Sequence, residues 1–167
     1  MEDSTVSTLE NEIISKHPEQ FYGGEIWLGI DIGDGWKTIV LDACRQVEDT
    51  LTADELRPFH WTQIKQKWGQ LRMYWRPRGG VAICCTAPDG ITEFEYVTQR
   101  EISTGNGGNE IPVATQERIR SIVDLAAKRA SVTCEICGKE GQLRHVGCVR
   151  VLCDACLRSK LHSVSTN

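Results

Sequence analysis

Cys134-Glu135-Ile136-Cys137 and Cys153-Asp154-Ala155-Cys156 are two C-x-x-C knuckles separated by 15 residues. Each pair can reach one ion from a single tight turn, and the segment between them must double back as a short hairpin. Gly138 follows the first knuckle, where a left-handed residue completes such a turn. Four thiolates in tetrahedral array predict one Zn2+ that nucleates a module over residues 131–160, too small to bury a core of its own. Metal binding contributes roughly 10–16 kcal/mol in comparable peptides, enough to replace that core. A different ligand set would join His145 and Cys148 to the first knuckle and leave Cys153 and Cys156 without a role. Four protein ligands leave no open position for water, so the ion is expected to be structural, with no catalytic residue attached to it.

The other four cysteines read differently. Cys44 lies on an apolar helical stripe and Cys148 belongs to the alternative set, while Cys84 and Cys85 are adjacent on a strand, one facing in and one out. The acidic start Met1-Glu2-Asp3-Ser4 has no apolar segment behind it, and no apolar run is long enough to cross a bilayer. The expected address is the cytoplasm, where thiols stay reduced and serve as metal ligands.

The chain has 167 residues and a net charge of −4, and that charge is segregated. Residues 1–56 hold 13 acidic and 3 basic side chains, whereas residues 57–78 hold Arg57, Lys65, Lys67, Arg72, Arg76 and Arg78 with no acid. Either the basic stretch lies against the acidic N-terminal part, or it forms an electropositive face for phosphates or an acidic protein.

Periodicity sets the remaining elements. Residues 1–18 read as a flexible polar tail with a short helical tendency from Leu9 to Ile14. Ile26, Leu28, Ile30 and Ile32 alternate as one face of a strand, and Asp34 in Gly33-Asp34-Gly35 is placed to cap a following helix. Trp36, Ile39, Val40, Ala43, Cys44, Val47 and Leu51 form the apolar stripe of that helix. Leu71, Met73 and Trp75 mark a strand; with strands over 81–86 and 91–97, joined through Gly79-Gly80 and Pro88-Asp89-Gly90, it predicts an antiparallel meander. Thr104–Asn109 reads as a flexible loop, and a second helix over 115–130 carries Ile119, Ile122, Val123, Ala126, Ala127 and Ala130 on one side.

The expected fold class is α+β: a small antiparallel sheet packed with two helices over residues 19–130, a zinc-ribbon module over 131–160, and a tail over 161–167. Two segments carry candidate chemistry. Asp31 and Asp34 suggest a metal-dependent nuclease loop, but no late acidic cluster completes it, and helix capping already explains Asp34. The segment from Trp61 to Arg76 interleaves indoles with cations, which suits base stacking with phosphate neutralisation or an aromatic-arginine contact with a protein. Lys65, Lys67, Trp68, Arg72, Tyr74 and Arg76 are the candidate partner-binding residues, while Trp61, Leu71, Met73 and Trp75 are expected to face the core.

Gly33 to Trp36, Gln63 to Tyr74, Cys134 to Gly138 and Cys153 to Cys156 follow in order a pattern that resembles a family of small bacterial and phage proteins. The chain departs from it at Trp68 and Met73, where phenylalanine is expected, and in a strand-rich insert over 79–109. The resemblance reinforces the zinc assignment. It implies an accessory protein of mobile elements, a regulator or an inhibitor of a host-defence system. With the zinc module and the basic-aromatic segment, the expected function is a non-enzymatic protein that binds a protein partner, such as an inhibitor of a CRISPR-type nucleoprotein complex. A nucleic-acid-binding regulator using residues 57–78 is the alternative.

Overall fold

The computed structural model describes residues 8–21, 26, 28–77, 80–86, 92–98 and 111–164, with strand residues 80–86 and 92–98 and residues 163–164 described by their backbone alone. The fold is α+β, as the sequence predicts. Helix α1 (Thr8–Lys16) and a 3-10 turn (Pro18–Gln20) precede the short β1 (Ile30–Asp31). A second 3-10 turn (Asp34–Trp36) leads into α2 (Lys37–Thr50), followed by α3 (Ala53–Leu56). Strands β2 (Phe59–Lys67), β3 (Gln70–Pro77), β4 (Gly80–Thr86) and β5 (Thr92–Thr98) come next. Helix α4 (Val113–Ala130) connects to β6 (Gln142–Val146), β7 (Cys148–Leu152) and α5 (Asp154–Val164).

All seven residues of the predicted α2 stripe are buried, and α2 packs against α4, which in turn packs on β3. Such a stripe buries one helix face and leaves Arg45 to pair with Asp42 and Asp49 at the surface, each at 2.7 Å. Leu71 and Met73 enter the same core with Trp61, and Phe59 stacks on Trp75 at 5.5 Å. Gln20 is fully buried beneath them. Its amide donates to Cys44 O (2.8 Å) and Glu48 Oε1 (3.0 Å), and its carbonyl accepts from Trp61 Nε1 (2.7 Å). A buried indole N–H needs such an acceptor. Burial pushes the neighbouring Cys44 thiol up to about 12, so this cysteine is inert packing.

Several expectations are corrected. Residues 8–16 are not a tail: Leu9, Ile13 and Ile14 sit in the core, and Lys37 of α2 pairs with Glu12 at 2.9 Å. The alternation over 26–32 fails at Leu28, which is 54% exposed, because Gly29 turns the chain at φ +74. Asp34 caps nothing; it lies inside the 3-10 turn, where no side-chain cap bond forms. The predicted meander is replaced by a sheet of order β1-β2-β3, with β1 parallel to β2 and β2 antiparallel to β3, while β4 and β5 pair in a sheet of their own. A register shift between Trp61 and Gln63 buries four consecutive residues at the start of β2, which erases the period-two pattern there. Helix α5 runs to Val164, past the expected end of the module at 160.

The loop at 104–109, the turn at 88–90 and the side chains of Cys84 and Cys85 fall outside the described residues. Among the described residues, no helix is long and apolar enough to cross a membrane.

Candidate metal centre

The knuckles lie on opposite sides of the β6–β7 hairpin that the 15-residue spacing predicts. Cys134 and Cys137 sit in a turn closed by Gly138 N donating to Cys134 O (2.9 Å), with Gly138 at φ +75. Cys153 immediately precedes α5, and Cys156 lies in its first turn. Cys156 N donates to Cys153 Sγ at 3.4 Å, so the sulfur acts as a helix-capping acceptor.

The four sulfurs lie within 4.8 Å of one another, and Cys137 Sγ stands 3.6 Å from Cys153 Sγ. A tetrahedral ion with bonds of about 2.3 Å requires sulfur–sulfur edges of about 3.8 Å, close to the Cys137–Cys153 separation. These four residues can hold a metal ion. The N–H of Cys156 draws the Cys153 thiol down to about 7, whereas burial and the neighbouring sulfurs push Cys156 up to about 12. A divalent cation offsets the mutual repulsion of thiolates held this close. The alternative ligands are left out: His145 and Cys148 are exposed, and Cys148 Sγ accepts instead from Arg150 Nε at 3.1 Å.

The centre is anchored to the α+β core by the loop that carries Gly33 and Gly35. A Cβ on Gly33 would fall 2.1 Å from Glu135 O, and one on Gly35 would fall 2.1 Å from Cys134 O and 2.5 Å from Gly138 N. Only glycine allows two backbones this close. The contact is fixed by Gly35 N donating to Glu135 O (2.9 Å) and by the buried Trp36 indole donating to Thr133 O (2.7 Å). Glu135 N donates to Val151 O, and the buried Glu135 carboxylate pairs with Arg150 at 2.7 Å. Burial raises the carboxyl of Glu135, and the Arg150 charge opposes that rise. Gly33, Gly35 and Glu135 were missed as site residues, although two glycines flanking one acid before a tryptophan are the visible signal of a close approach. Asp31 and Asp34 are exposed and belong to no ligand group among the described residues.

The basic-aromatic segment forms the β2–β3 hairpin. Register pairs Gln63 with Tyr74, Lys65 with Arg72 and Lys67 with Gln70 on one face, opposite the face that buries Ile64 and Met73. Lys65 Nζ lies over the Tyr74 ring at 5.5 Å. Lys67 and Arg72 approach the Trp68 ring at 4.7 and 5.7 Å. Arg76 donates instead to the buried His60 at 3.0 Å. Among the described residues no carboxylate pairs with Lys65, Lys67 or Arg72. Among the described residues, Arg57 with Asp54 at 3.9 Å is the ion pair between the basic stretch and the acidic N-terminal part, while Glu12, Asp42, Asp49 and Glu55 pair with Lys16, Lys37, Arg45, Arg118 and Arg129.

The hairpin tip rests on the ribbon. Gln66 Nε2 donates to Val149 O at 2.8 Å, and Leu143 Cδ1 lies 2.3 Å from where a Gly69 Cβ would stand. No family model, curated protein or solved structure matches the chain.

Proposed function

We propose that this chain is a non-enzymatic interaction protein in which a Zn2+-tied ribbon braces a β-hairpin, and the basic-aromatic face of that hairpin takes an acidic partner. Thiolate donors in tetrahedral array suit zinc, and four protein ligands leave it no open position for chemistry. The observation that carries the reading is the group Lys65, Lys67 and Arg72, set around Trp68 and Tyr74, with which no carboxylate pairs among the described residues. Like charges directly opposite across two strands, as Lys65 and Arg72 are, destabilise a sheet until an anion meets them. An inhibitor of a nucleoprotein defence complex is one form this role takes under the resemblance noted above.

Chromatography on immobilised heparin tests the reading. A protein of net charge −4 has no general reason to bind a polyanion. Retention at low salt, abolished by replacing Lys65, Lys67 and Arg72 together with alanine, is the expected result. Passage of the wild-type protein in the flow-through refutes it.

A further inference from the structure

The hairpin tip holds a feature that stability alone does not favour. Lys67 pairs with Gln70, so Trp68 and Gly69 are the two central residues of the turn, at φ 54 and 75. Both positive angles match a type I′ turn, in which asparagine or glycine fills the first position without strain. Tryptophan there bears the penalty of a left-handed backbone, and Trp68 is 64% exposed. Strain kept at an exposed aromatic side chain points to use of that side chain.

We infer that this face is a site for single-stranded nucleic acid, with a base stacked on Trp68 and the phosphates met by Lys65, Lys67 and Arg72. The inference rests on the reading of the hairpin as the contact surface and names its ligand. Lysine and arginine side chains held near an indole, at 4.7 and 5.7 Å, are long enough to swing from ring to phosphate while the ring receives a base. Successive residues on one face of a strand stand about 6.8 Å apart, a spacing that places a row of cations along an extended sugar–phosphate chain. Tyr74, with Lys65 over its ring, repeats the pairing of aromatic and cation further along the same face. An acidic protein surface would use the cations but leave the two separated rings without a partner. Duplex hides its base faces, so an unpaired strand is the better fit.

The test uses the full-length, zinc-loaded protein and a fluorescein-labelled oligothymidylate, read by anisotropy across a salt series. Binding at low salt is expected, with a log–log salt slope of about −2 for three cations on a single strand. Arg72→Ala should flatten that slope by about 0.7. Trp68→Asn, which suits the turn and keeps the fold, should weaken binding about tenfold. A duplex of equal length should bind more weakly. Failure to bind the oligonucleotide at low salt, or equal binding by Trp68→Asn, overturns the proposal. A parallel titration with labelled polyglutamate separates the two readings. If polyglutamate binds through Lys65, Lys67 and Arg72 while the oligonucleotide does not, the nucleic-acid proposal fails and the acidic-partner reading stands. If neither binds, both fail.

Discussion

Replacing Gly35 by alanine probes the seam between the ribbon and the core. The added methyl would lie 2.1 Å from Cys134 O, about 1.3 Å short of ordinary van der Waals contact. The atoms it meets are backbone on both sides, so no side chain can swing away. Opening the seam by that distance stretches the bonds from Gly35 N to Glu135 O and from Trp36 Nε1 to Thr133 O beyond hydrogen-bond range. Overpacking costs about 1–3 kcal/mol, and each of the two buried bonds lost adds about 1–3 kcal/mol, so a destabilisation of at least about 3 kcal/mol is expected. For a chain of this size that lowers Tm by about 10 °C. Urea and thermal denaturation of the metal-loaded protein measure it, with Gly147→Ala as the control. Gly147 has φ +71 but nothing within 4 Å of an added Cβ, so that variant should lose only about 1 kcal/mol from the backbone angle. Equal midpoints for Gly35→Ala and wild type would refute the close-approach reasoning.

Trp68→Asn should raise stability by about 1 kcal/mol in urea denaturation, because asparagine tolerates the left-handed turn position; an unchanged or lower midpoint contradicts the strain assigned to Trp68. Gln20→Ala should cost about 2–4 kcal/mol by the same assay, since it leaves the buried Trp61 N–H without its acceptor and opens a cavity. The hydrogen bonds of Asp42 to Arg45 and Arg129 hold its carboxyl below the ordinary 3.8. Its contribution is therefore fully present above that value and is lost as pH falls through the depressed one, so Asp42→Asn should flatten the acid limb of a stability–pH curve.

Local patterns were legible in the sequence. The stripe from Trp36 to Leu51 and the two knuckles are set by spacing within a few residues, and each predicts its geometry directly. Contacts made by distant segments were not. Gly35 reads as a turn residue until its partner is seen, because the neighbouring Trp36 meets Thr133 97 residues further along the chain. Strand β2 was hidden by the register shift at Trp61, which places His60 and Thr62 inside and so breaks the alternation. Helix α1 reads as a tail in sequence because Leu9, Ile13 and Ile14 are few among polar residues, and their burial depends on the core they cover.

Metal content is the measurement that bears most directly on the ribbon. Protein purified under reducing conditions and analysed by mass spectrometry for metals should carry one Zn2+ per chain through dialysis, and Cys156→Ser should lose it and unfold β6, β7 and α5. A metal-free wild-type chain that keeps the same folded spectrum would contradict the metal-tied ribbon and the hairpin brace built on it.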